Sequence, residues 1–232
     1  MSFDTIGGST SSRPLYEAQK KLQGNFERLA SGKKINRAAD DAAVSAMVSE
    51  MEAALASQDA ASGNITDAVS LTEVASGAGQ SQNEILTRME ELSVQSANGT
   101  LNSEQRSAIS TEFNALRSEM TRISRVTEFN GQQVLANSDF NVQVDTGSDA
   151  NSQITVDTPD TSSTALGMDT LDVSTQAGAQ TAISGIQSAR ATLSSGLSTL
   201  GATTNRLSAA HSNLETRHIN TTESMARMRD TD

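Results

Sequence analysis

The chain has 232 residues, a formal charge of -11, no cysteine, no tryptophan and aromatics at only 3%. The acidic balance excludes a nucleic-acid partner, which needs a basic footprint, and the lack of cysteine excludes disulfides, thiolate metal sites and a cysteine nucleophile. Sparse aromatics beside abundant Ala, Ser, Thr, Asn and Gln fit narrow seams between long helices better than a thick round core.

The charge is uneven along the sequence. Residues 1–37 carry seven Lys/Arg against three acids, a balance of +4 that leaves -15 for the remainder. Such a basic end and acidic body attract neighbouring copies or simply solvate helix faces, and the second is the plainer reading. No segment approaches the ~20 apolar residues of a membrane span, and the N-terminus lacks the basic-then-apolar pattern of a cleaved signal.

Residues 1–13 are Gly/Ser/Thr-rich and expected to be mobile in isolation. A helix begins at Pro14, with Leu15, Ala18, Leu22, Phe26 and Leu29 at steps of three and four. Ser31-Gly32 stops it, and LASGKKINRAADDAA reads as a connector in which Asp40 or Asp41 caps the next helix. That helix runs from Ala42 to about Asn98, with a stripe of Val44, Val48, Met51, Leu55, Ile65 and Val69 interrupted by Gln58 and Ser62. Leu71, Val74, Ile85, Met89 and Leu92 continue the stripe on a drifting face, and Gly77 and Gly79 weaken the middle.

Ala97-Asn98-Gly99-Thr100 is a turn, and Ser103 or Glu104 starts a third helix with a clean stripe of Ile109, Phe113, Leu116, Met120 and Ile123. It closes near the turn pair Asn130-Gly131. FNVQVDTG and SQITVDT then alternate apolar and polar residues around GSDAN, the pattern of a β-hairpin, and LGMDTLDV adds one short strand. The last helix runs from about Thr175 to the end on a stripe from Ile183 and Ile186 through Arg190, Leu193, Leu197, Leu200, Thr204 and Leu207 to Met228. At 1.5 Å per residue such a helix is about 80 Å long. The expected fold class is mainly α: a long antiparallel helical bundle or coiled-coil rod with a small β-hairpin module.

Chemistry is sparse. His211 and His218 share the face of the last helix but stand two turns apart, too far to chelate one ion unaided, so they read as polar seam residues. The adjacent acids Asp40-Asp41 and Glu90-Glu91 point to different helix faces, the first pair fitting helix-start chemistry and the second a solvated face. No nucleotide, hydrolase or metalloprotease motif is present. The expectation is no enzyme, with no catalytic, cofactor-binding or metal residues. Lys33-Lys34 alone is too little for a membrane surface.

The run ERLASGKKINRAADDAAVSAMV resembles the signature of the bacterial flagellins, and three further segments fall in that family's order. These are MEELSVQSANGT, VTEFNGQQVL and ETRHINTTESMARMRDTD, while ALGMDTLDV matches the stretch leading into the last helix. The resemblance implies an inner-tube helix and connector at 1–40, a core domain from 41–135 and 175–232, and the hairpin module at 136–174. It implies a structural subunit that self-associates into the filament for swimming motility, extracellular and secreted without a cleaved signal peptide. Its partners would be the flagellar type III export apparatus and hook-associated proteins. It also implies a contact with Toll-like receptor 5 through Arg88, Leu92 and Glu112. Flagellins continue beyond Arg229-Asp230-Thr231-Asp232 through a further C-terminal inner-tube helix, so the expectation is a core lacking that partner; the opening IGGSTSSRPLYEAQ also departs from the family's usual start. The alternatives are a hook–filament junction protein of the same superfamily and a secreted helical binding module or adhesin.

Overall fold

The computed structural model describes residues 12–230. The expectation for residues 1–13 lies almost wholly outside that range, as do Thr231 and Asp232. Four α-helices dominate: α1 (Ser12–Ser31), α2 (Ala42–Ser96), α3 (Ser103–Val126) and α4 (Gln176–Arg229). Between α3 and α4 lie two antiparallel hairpins, β1 (Glu128–Phe129) with β2 (Gln132–Gln133), and β3 (Asp139–Gln143) with β4 (Gln153–Asp157). The chain divides into two compact units, one of residues 60–213 and one combining residues 1–59 with 214–232.

In the larger unit, α2 and α4 pack antiparallel, because partners climb along one helix as they descend along the other. Ser62 meets His211 at 3.2 Å, Thr72 meets Thr204 at 3.1 Å, and Glu90 meets Arg190 at 2.8 Å. The seam of α2 is a strict alternation of three- and four-residue steps through Ala61, Ile65, Ala68, Thr72, Ala75, Gly79, Gln82, Leu86, Met89, Ser93 and Ser96, all buried. Small residues let the backbones approach. A Cβ added at Gly79 would sit 2.6 Å from Leu197 Cδ2. The expected stripe therefore holds at Ile65, Leu71, Met89 and Leu92 but not at Val74, which is 40% exposed. In α4 the large half of the stripe (Ile186, Leu193, Leu200, Leu207) is buried as expected; in the other half Ala182, Ala189 and Thr203 are buried, while the expected positions one residue later, Ile183, Arg190 and Thr204, are half-buried.

The turn after α2 is closed by a guanidinium. Arg106 donates to the carbonyl of Ser96 (3.0 Å), which the helix end leaves open, and to those of Asn98 (2.8 Å) and Leu101 (2.9 Å) in the turn. Helix α3 starts with a capping box: Asn102 Oδ1 accepts from Gln105 N at 2.8 Å, and Gln105 Oε1 accepts from Asn102 N at 3.0 Å. Its Ile109, Phe113 and Met120 join Leu86, Met89, Leu92, Ile186 and Leu193 in one core.

Asn130 (φ 52°) and Gly131 (φ 76°) form the two-residue turn of β1–β2, a hairpin whose residues signal only a turn in the sequence. In the second hairpin Phe140 pairs with Val156 and Val142 with Ile154, as the alternation requires. Asn64 Nδ2 anchors it to α2 through the Gln143 carbonyl at 3.2 Å. The short strand expected in LGMDTLDV does not form. Gly167 takes a left-handed conformation and Met168–Thr170 make one 3-10 turn, so that Met168, Leu171 and Val173 all reach the core. Arg117 Nη1 holds the carbonyls of Asp169 (3.3 Å) and Leu171 (3.4 Å), and Ser96 Oγ donates to Val173 O at 2.6 Å.

In the smaller unit the connector is ordered by its two aspartates. Asp41 Oδ1 accepts from Ala43 N and Val44 N, both at 3.1 Å, and so caps α2. Asp40 Oδ2 accepts from Asn36 N (3.2 Å) and Arg37 N (3.1 Å), and these two main-chain donors hold its carboxyl below the usual range. The connector also covers the last turn of α4, where Lys34 N donates to Arg229 O at 2.7 Å.

Candidate interaction surface

The groups with chemical potential do not converge. His211 has Ser62 as its neighbour, and His218 Nε2 lies 3.2 Å from Asp59 Oδ1, so each histidine has its own partner across the helices. Among the described residues no three His, Asp or Glu side chains gather where an ion would sit, and no helix is long and apolar enough to cross a membrane. Glu90 is not a solvated acid, as its pairing with Glu91 in sequence implies: it accepts from Arg190 and from Gln187 Nε2 at 3.1 Å. The neighbouring open groove, about 340 Å³, is lined by Asn83, Gln187, Arg190 and Ser194 and offers no nucleophile beside a base.

Helix α1 presents the clearest unsatisfied surface. Leu15, Leu22, Phe26 and Leu29 fall on one stripe at steps of seven, four and three, and they are between 56% and 81% exposed. The opposite, polar side carries Glu17, Lys20, Lys21 and Arg28, which together with Asp40 of the connector line a groove of about 410 Å³. Arg37 of the connector reaches Glu27 at 2.6 Å. The helix thus turns its polar side toward its own connector and its apolar side outward, the reverse of a surface helix in a self-contained domain. Spacing alone reveals the stripe; nothing in spacing tells whether its cover belongs to the same molecule.

Of the three residues matched to a receptor contact, two are brought together. Arg88 Nη2 and Nε reach Glu112 Oε1 at 2.8 and 3.0 Å, and Arg88 Nη1 reaches Glu91 Oε2 at 2.9 Å. All three side chains are about half exposed, and the two carboxylates raise the Arg88 pKa further above a value that already keeps it charged. Leu92 differs from them in exposure: it is 2% accessible and belongs to the core beside Met89 and Phe113. Glu91, which the family resemblance does not single out, completes the exposed charge cluster; its position three residues from Arg88 on one helix is the signal that sequence offers for it.

The chain matches the bacterial flagellin N-terminal helical region over residues 9–139 and the bacterial flagellin C-terminal helical region over residues 183–232. It belongs to the bacterial flagellin family. Flagellin B of Vibrio anguillarum is 37% identical over 149 residues, which cover 64% of this chain and 40% of that flagellin. The chain therefore spans well under two thirds of such a relative. Among solved structures, the Bacillus cereus flagellin is 29% identical with a TM-score of 0.58, over 66% of this chain and 88% of that one. A Vibrio parahaemolyticus protein described as a putative flagellar hook-associated protein superposes at a TM-score of 0.69, over 82% of this chain and 100% of that one; at 14% identity it shares the fold.

Proposed function

We propose that the chain is a structural subunit that self-associates into the extracellular filament of the bacterial flagellum and so serves swimming motility. What carries the reading is the presence of both flagellin terminal regions in one chain. The outward apolar stripe of α1 supports it, since each such side chain gains roughly 1.5–3 kcal/mol when a neighbour buries it. In this reading residues 1–40 supply the inner-tube helix and connector, 41–135 and 175–232 the core, and 136–174 a hairpin module. The role is structural rather than catalytic. Export without a cleaved signal through the flagellar type III apparatus, and contact with hook-associated proteins, follow from the same assignment.

The exposed Arg88–Glu112 pair supports a receptor contact on the isolated subunit, with Leu92 acting beneath it as packing. An Arg88→Ala plus Glu112→Ala variant should signal less through Toll-like receptor 5 in a reporter assay; unchanged potency would exclude that site. For the filament, deletion of the gene should remove filaments and motility together. Intact filaments after deletion would sink the reading.

A further inference from the structure

We propose that Asn130 is a site of spontaneous deamidation, a slow chemical change built into the tip of the β1–β2 hairpin. The sequence holds two Asn-Gly pairs, Asn98-Gly99 and Asn130-Gly131. In such a pair the glycine nitrogen attacks the asparagine Cγ. A new C–N bond forms, the bond from Cγ to the carboxamide nitrogen breaks, and the glycine amide proton leaves with that nitrogen as ammonia. Water then opens the succinimide to aspartate or isoaspartate. Glycine favours the step because no Cβ shields its nitrogen.

The fold treats the two pairs differently. Asn98 Oδ1 accepts from Thr100 N at 3.1 Å and from Thr100 Oγ1 at 3.0 Å, which fixes the carboxamide in a turn and restricts its rotation. Asn130 stands at the hairpin tip with φ 52°, and among the described residues neither its carboxamide nor the Gly131 N–H has a hydrogen-bond partner. The amide that must be attacked and the nitrogen that must attack are both unengaged there. Conversion matters locally. Isoaspartate adds one carbon to the main chain of a two-residue turn that sets Phe129 opposite Gln132, and either product places a new carboxylate beside Glu128. The groove between this hairpin, β3 and α2, lined by Phe129, Asn130, Phe140 and Asn64, changes with it.

The test is peptide mapping by mass spectrometry after incubating the folded protein, and a urea-denatured sample, in mildly alkaline buffer. In the folded protein Asn130 should convert several-fold faster than Asn98, and denaturation should narrow the gap by releasing Asn98 from Thr100. Conversion at Asn98 as fast as at Asn130 in the folded protein, or no conversion at Asn130 while the denatured protein reacts, overturns the proposal.

Discussion

Arg106 ties the end of α2 to the start of α3 through three main-chain carbonyls, so Arg106→Ala strips a charged donor from all of them at once. A loss of roughly 1.5–3 kcal/mol of unfolding free energy is expected, read from urea denaturation. Asp169 gives a second test. The hydroxyls of Ser163 and Thr164 donate to its carboxylate and hold its pKa below the usual value. With the folded pKa lowered, its contribution is complete above about pH 4 and fades as pH falls through the folded value. An Asp169→Asn variant should therefore start less stable at neutral pH and lose less on acidification than the parent. Leu92→Ala should cost about 2–5 kcal/mol, the range for emptying a core position, so a receptor effect of that change would have to be separated from unfolding by circular dichroism. The place of Leu92 in the core is legible from its stripe, but the roles of Arg106, Arg117 and Asp169 are not: they act through main-chain carbonyls or hydroxyls that only the folded turns bring near. Asp40 and Asp41 are legible, because a carboxylate just before an apolar-periodic run has a local job that needs no tertiary partner.

At the scale of elements, helices α1 to α4 stand within a few residues of where composition, periodicity and turn signals put them. The first hairpin and the 3-10 turn at Met168 are not foreseen, the first because two-residue strands carry too little alternation to read. The more instructive miss is the seam. A reading that follows large apolar residues tracks Val74, whereas the buried small residues are Ala61, Ala68, Ala75 and Gly79 in α2 and Ala182 and Ala189 in α4. Small seam residues add little to a stripe of large apolar side chains but let a facing side chain reach close to the backbone. Gly79 shows the tightness: a Cβ there would lie 2.6 Å from Leu197 Cδ2. The prediction is an inverted size rule. Ala75→Leu, at a fully buried position, should destabilise by about 1–3 kcal/mol through overpacking, while Val74→Ala, one residue away, should change stability by less than about 0.5 kcal/mol. Thermal denaturation of the pair distinguishes a seam built on Ala75 from one centred on Val74.

For the whole molecule, the family follows from the terminal matches, which also carry the proposed filament role, and the uncovered stripe of α1 supports that role. The family signature is readable at SGKKINRAADDAA and in the ordered segments that follow it, since their residues do local structural work: Gly32 in a left-handed conformation (φ 66°) just past α1, Asp40 and Asp41 on main-chain donors, Asn130-Gly131 in the hairpin turn. The outward face of α1 is not readable, because a stripe of Leu15, Leu22, Phe26 and Leu29 looks the same whether its cover is internal or a neighbouring copy. The most direct measurement is elongation from short filament seeds, followed by electron microscopy, for a parent subunit carried on through the C-terminal inner-tube helix that the flagellin resemblance implies, and for its Leu22→Lys plus Phe26→Lys variant. The filament role predicts tubes that grow from the parent, and a variant that keeps its helical circular dichroism but does not elongate. A parent that stays monomeric on seeds, or a variant that elongates as well as the parent, would contradict it.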